Sequence, residues 1–222
     1  MFEETTKKII ESRLIPVVKV DDKKKALSLA NALTAGGISA IEITFRTTEG
    51  EKGFEKIAEC IKEVSSSCNI LVGAGTVVNP ELAKKASEAG AKFIVSAGFN
   101  PQTVDWCIEH KIPVCPGVNN PSLVEQAMAK GLNFLKFFPA EVSGGVKMLN
   151  ALSGPFPTVK FMATGGIGPA NLEEYFKCKN LLAIGGSWMV KENLIESENW
   201  AEITRLSSEA VNLIKKIESQ KN

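Results

Sequence analysis

Residues 70–90 read ILVGAGTVVNPELAKKASEAG and contain one complete structural unit. The opening ILVGA is short, apolar and flanked by Asn and Gly, which is how a strand buried on both faces reads. Asn79 then stands as an N-cap, with Pro80 at the first helical position. A helical pattern runs over 80–89 and stops at Gly90. A strand that feeds a capped helix within about 20 residues is the repeating element of a parallel sheet covered by helices.

The same unit recurs on both sides of this stretch. Further apolar runs lie at 14–20, 40–45, 93–96, 112–115, 134–138, 159–163 and 181–184. Between them, helical patterns cover 23–35, 54–64, 101–109, 121–130, 169–176 and 200–217. Asn100-Pro101 and Asn120-Pro121 repeat the cap seen at Asn79-Pro80. One more helix, 3–12, precedes the first strand. Eight strands alternating with helical patterns in 222 residues, with no linker between them, predict an α/β fold: a single (β/α)₈ TIM barrel domain over 1–222 with an extra N-terminal helix. A doubly wound open sheet is the alternative.

Composition narrows the function. Lys and Arg number 26 against 25 Asp and Glu, so the chain lacks the basic surplus that nucleic acid or an anionic membrane requires. Five cysteines, an odd number with no C-x-x-C spacing, argue against a disulfide framework or a zinc cage and fit a reducing cytoplasm. The N-terminal MFEETTKKII is acidic where a signal peptide is basic. With His110 the only histidine, a histidine-rich metal site is excluded.

Two strands carry charges that a buried strand should not contain. In AIEITFR, residues 40–46, Ile41, Ile43 and Phe45 alternate with Glu42, Thr44 and Arg46. The apolar set should meet the helices, which points Glu42 into the barrel; an inward carboxylate is costly unless paired or used. In NFLKFF, residues 133–138, Lys136 lies among aromatic and aliphatic neighbours. Lysine is rarely buried without a role, and a desolvated, neutral amine can attack a ketone to form a Schiff base. The bland reading is a structural ion pair of Lys136 with Glu42 or Glu141. The remaining strand ends weigh against it. Thr76 closes ILVGAGT, Thr164 precedes Gly165-Gly166, and Gly185-Gly186-Ser187 ends the last strand. Paired glycines after barrel strands seven and eight, with a helix N-terminus following, form the recurrent phosphate site of such barrels.

The motifs GGISAIEITFRT (36–47), VGAGTV (72–77), PGVNNPSLV (116–124), LKFFPAE (135–141) with GGVK (144–147), ATGGI (163–167) and IGGSW (184–188) resemble the family of 2-keto-3-deoxy-6-phosphogluconate (KDPG) and 4-hydroxy-2-oxoglutarate (KHG) aldolases. The resemblance runs from about residue 14 to 190. It implies a class I, Schiff-base aldolase of (β/α)₈ fold, cytoplasmic and homotrimeric. It implies cleavage of KDPG to pyruvate and glyceraldehyde 3-phosphate, and of KHG to pyruvate and glyoxylate. Residue by residue, Lys136 is similar to the family's Schiff-base lysine and Glu42 to its general acid/base. Arg46, Thr76 and Thr164 match groups that hold the substrate's carboxylate end or neighbouring oxygens. Phe138 matches the aromatic beside the imine, and Gly165, Gly166, Gly185, Gly186 and Ser187 match the phosphate cradle. No cofactor or metal is implied, because the iminium takes the place of a Lewis acid. Ala97 and Ala163 depart from the family pattern, which often has proline at both positions.

Three other readings remain at this point: an aldolase for the galactonate epimer, a phosphate-binding barrel isomerase or epimerase, and a non-catalytic sugar-phosphate binder. The last two leave Lys136 and Glu42 without a reason to occur together. His110 reads as a helix C-cap, Cys115 as a small buried apolar residue, and Trp106, Trp188 and Trp200 as packing residues. Lys19, at the end of the first strand, has no assigned role.

Overall fold

The computed structural model describes residues 3–220. Nine strands form one parallel sheet: β1 Leu14–Val18, β2 Ala40–Thr44, β3 Leu71–Gly75, β4 Phe93–Val95, β5 Val114–Cys115, β6 Gly117–Val118, β7 Phe134–Phe137, β8 Lys160–Thr164 and β9 Leu181–Gly186. Their order is β5-β4-β3-β2-β1-β9-β8-β7-β6. The two ends of that order, β5 and β6, are consecutive in the chain and separated only by Pro116. The sheet therefore closes on itself, and β5 and β6 are the halves of one barrel strand. Val114 and Cys115 pair with β4, while Gly117 and Val118 pair with β7. Pro116 has no N–H to donate, so the ladder breaks there. The sequence places this strand at 112–115; the structure moves it toward the C-terminus and splits it.

The helices are α1 Glu3–Ser12, α2 Lys23–Ala35, α3 Glu51–Ser67, α4 Pro80–Glu88, α5 Pro101–Glu109, α6 Pro121–Ala129, α7 Gly145–Ser153, α8 Leu172–Phe176, α9 Glu192–Glu196 and α10 Trp200–Ser219. Asn79, Asn100 and Asn120 each accept backbone N–H groups through the side chain at the start of α4, α5 and α6. His110 is the C-cap of α5, stacks on Trp106 and donates from Nδ1 to the Trp106 carbonyl. Helices α7 and α9 lie outside the stretches that the sequence marks as helical. α7 begins at Gly145 with no side-chain cap, so the Asn-Pro cue is missing. Residues 169–171 read as helix but form a turn, where Asn171 accepts from Gly168 N–H, and α8 starts at Leu172.

Alternation assigns the barrel's two faces. Ile41, Ile43, Leu135, Phe137, Phe161 and Ala163 pack outward in the large core under the helices. Ile15, Ala40, Phe93, Val95, Cys115, Met162 and Ala183 form a second cluster inside the barrel, with Ile9 of α1 packed against it. The extra N-terminal helix thus supplies an apolar plug to the interior. Among the described residues, no helix is long and apolar enough to cross a membrane.

Candidate active site

Above that interior cluster the inward positions turn polar. Glu42 on β2 and Lys136 on β7 face each other across the barrel, with Lys136 Nζ 3.4 Å from Glu42 Oε1. Their side chains are only 1% and 6% exposed. The pair fits because of what flanks it. A Cβ built on Gly75 would lie 2.0 Å from Glu42 Oε1, so β3 must carry glycine beside the carboxylate. The Phe138 ring centroid lies 5.2 Å from Lys136 Nζ, where the ring's negative face attracts a cation.

These residues line a cavity of about 260 Å³ together with Arg46, Thr76, Thr164, Gly165, Gly166, Gly185, Gly186 and Ser187. Every site residue read from the sequence therefore borders one cavity. Arg46 is exposed at its rim; its Nε donates to Thr44 Oγ1, which in turn donates to the Val18 carbonyl. Thr76 holds φ +56°, an uncommon backbone state for a β-branched residue and the kind of strain that collects at functional sites. Glu42 Oε2 and Thr164 Oγ1 are buried with no hydrogen-bond partner among the described residues. Orphan polar atoms are rare inside proteins, and both belong to residues on the cavity wall.

The glycine end differs from expectation in one respect. Helices α8 and α9 are five residues each and begin several residues beyond the glycines. Donors at that end are thus backbone N–H groups of the turns rather than a full helix terminus. Trp188 packs closely on Gly186, where an added Cβ would lie 2.0 Å from the indole ring.

Val17 and Ile167 also line the cavity and were not singled out from the sequence. Val17 could have been found, because it alternates with the inward Ile15. Of the two departures from the family pattern, Ala97 borders the cavity and Ala163 packs in the outer core. Lys19 lies apart from the cavity: it pairs with Glu192 at 3.2 Å and borders a neighbouring groove of about 790 Å³ that Arg46 and Thr76 also line. Cys115 sits in the interior cluster, where burial pushes its thiol pKa up. Among the described residues, no group of three or more His, Cys, Asp or Glu is arranged to hold a metal ion.

Comparison with known proteins places this geometry. The family model "KDPG and KHG aldolase" matches residues 5–206. The 2-dehydro-3-deoxy-phosphogluconate aldolase of Haemophilus influenzae is 42% identical, over 95% of this chain and 99% of that one. The KHG/KDPG aldolase of Escherichia coli K12 is also 42% identical, over 89% of this chain and 90% of that one. The KDPG aldolase of Legionella pneumophila, solved with pyruvate captured at low pH as a covalent carbinolamine intermediate, superposes with a TM-score of 0.84. It is 38% identical, and the superposition covers 90% of this chain and 94% of that one. Because the matched span 5–206 contains every residue that lines the cavity, from Val17 to Ser187, the chain belongs to the KDPG/KHG aldolase family.

Proposed function

We propose that the protein is a class I aldolase that cleaves KDPG to pyruvate and glyceraldehyde 3-phosphate, and KHG to pyruvate and glyoxylate. The observation that carries the reading is the buried Lys136–Glu42 pair at 3.4 Å, closed in on one side by an aromatic ring and open to the cavity on the other. A structural ion pair alone would not need a cavity beside it. The Legionella pneumophila relative, with pyruvate held as a carbinolamine, supports the same covalent chemistry.

Lys136 Nζ adds to the C2 ketone of the substrate, giving a carbinolamine. Loss of water leaves an iminium whose positive nitrogen accepts electrons. Glu42 takes the proton of the C4 hydroxyl, the C3–C4 bond breaks, and its electron pair flows into the iminium as an enamine. The aldehyde departs. Glu42 then returns its proton to C3, and water hydrolyses the pyruvate imine to free Lys136. Within this scheme Arg46, Thr76 and Thr164 hold the carboxylate end and neighbouring oxygens. Phe138 packs beside the imine. Gly165, Gly166, Gly185, Gly186 and Ser187 cradle the phosphate, and that remote binding orients the reacting carbon. KHG lacks the phosphate and so uses less of the cavity.

Borohydride reduction in the presence of pyruvate, followed by peptide mass spectrometry, tests the assignment. A reduced pyruvate adduct on Lys136 is the expected result; folded protein with no adduct overturns it. Specificity constants for KDPG, its galactonate epimer and KHG then rank the substrates. The working assembly is a homotrimer, which sedimentation equilibrium checks.

A further inference from the structure

The loop that follows Lys136 and the turn that follows Thr164 are tied at a single carboxylate. Glu141 lies five residues beyond Lys136, and its side-chain Oε1 accepts a hydrogen bond from the hydroxyl of Tyr175 on α8. Tyr175 is buried, 1% exposed, and burial together with Glu141 raises its phenol pKa. It is a fixed post rather than a surface group. The backbone completes the tie. Ala140 N–H donates to the Thr164 carbonyl at 2.8 Å, and Glu141 N–H donates to the Gly165 carbonyl at 3.0 Å. Asn171, just before α8, donates from Nδ2 to the Gly166 carbonyl at 3.1 Å.

Three successive carbonyls of the turn are thus anchored. In a planar trans peptide the C=O of one residue and the N–H of the next point in opposite directions. Anchoring the carbonyls of Thr164, Gly165 and Gly166 therefore aims the N–H groups of Gly165, Gly166 and Ile167 away from the anchors. Those same three residues line the cavity. The approach of the two loops is close: a Cβ on Gly166, which has φ +79°, would lie 2.6 Å from Glu141 Cγ. From the sequence alone, Glu141 stands only as an alternative ion-pair partner for Lys136. Its carboxylate instead faces α8.

We propose that Glu141 and Tyr175 are positioning residues for the phosphate end of the substrate. Together they hold the Gly165–Gly166 turn so that its N–H groups meet the phosphate at a set reach from Lys136. They govern discrimination between phosphorylated and unphosphorylated 2-keto acids. This rests on the aldolase reading above.

The test is a comparison of KDPG with KHG in Tyr175→Phe, Glu141→Ala and Glu141→Gln. Loss of one such anchor should lower kcat/KM for KDPG about tenfold in Tyr175→Phe and Glu141→Ala. Values for KHG, and the yield of the borohydride-reduced pyruvate adduct, should stay within about threefold of wild type. Glu141→Gln keeps an oxygen acceptor for the Tyr175 hydroxyl and should recover most of the loss. An unchanged KDPG-to-KHG ratio in both Tyr175→Phe and Glu141→Ala, with wild type active, overturns the positioning role alone. A parallel loss on both substrates, with a lowered melting temperature, overturns it in favour of general packing. A wild-type protein that forms no pyruvate adduct and cleaves neither substrate overturns the aldolase reading, and this proposal with it.

Discussion

Along four barrel strands, inward-facing residues two apart differ sharply in character. Ala40 precedes Glu42, Phe134 precedes Lys136, Met162 precedes Thr164, and Ala183 precedes Gly185. The earlier member of each pair packs in or against the apolar interior cluster. The later member lines the cavity. One step of the strand's two-residue period therefore separates packed core from reactive surface. The lower level contributes stability in the ordinary way, by removing apolar area from water. The upper level holds a carboxyl group and an amine, polar groups whose desolvation opposes folding unless they are paired. Such an arrangement is understandable where the upper level does chemistry and the lower level holds it in place.

Lys136→Met tests the upper level most severely. Removing a nucleophile that forms a covalent intermediate should lower kcat by about 10⁴-fold or more, and the reduced pyruvate adduct should vanish from the peptide map. Methionine fills the space of the lysine stem, so circular dichroism should still report a folded barrel. A variant that keeps a substantial fraction of activity would remove Lys136 from the chemistry and make the two levels alike.

Glu42→Gln should be milder. The proton transfers lose their carrier, and general acid–base catalysis of this kind contributes about 10²–10⁴-fold. The amine remains, so pyruvate should still be trapped on Lys136, though more slowly. Single-turnover cleavage separates the two steps: slow C3–C4 cleavage with a retained adduct fits the assignment, and wild-type cleavage ends the acid/base role.

The two levels were not equally legible in the sequence, and the reasons are physical. Alternation in AIEITFR was enough to turn Glu42 inward, because a one-residue slip would move Ile41, Ile43 and Phe45 to the wrong face, whereas Lys136 stood out in NFLKFF only as a lone charge among apolar neighbours. Asn79, Asn100 and Asn120 were legible because a side-chain cap acts on its own next turn. The split at Pro116 was harder to place, since the apolar run stops before it while pairing continues at Gly117. Helix α7 was missed because Gly144 and Gly145 open it without a polar cap. The contact of Glu141 with Tyr175 spans 34 residues and follows from how α8 packs, which no local pattern encodes.

Ile15→Val examines the lower level with a smaller change. Ile15 is fully buried inside the barrel. Loss of one methylene there should cost about 1 kcal/mol, or about 2–4 °C in melting temperature for a chain of this size. Specificity constants should stay within about twofold, since a change that only weakens packing does not touch the reacting atoms. If activity fell further than stability, the lower level would be setting the geometry of the upper one rather than supporting it.

The smallest effect, a labelling pattern, asks whether water enters the lower level. Burial pushes Cys60 and Cys107, both packed under the helices, up to about 12. Only the thiolate attacks an alkylating reagent, so at pH 8 about one such thiol in 10⁴ is reactive. Cys68 is half-buried and should label first. Cys115, inside the barrel beneath the lysine, should be protected as strongly as Cys60, because burial raises its pKa too. If Cys115 instead labels at the rate of Cys68 in folded protein, reagent reaches it through the cavity of about 450 Å³ that Cys115 lines with Thr6, Ile9, Phe93 and Phe134 on the α1 side of the barrel. The lower level would then be open to solvent from beneath, and α1 would be a loose cover over it rather than a packed plug.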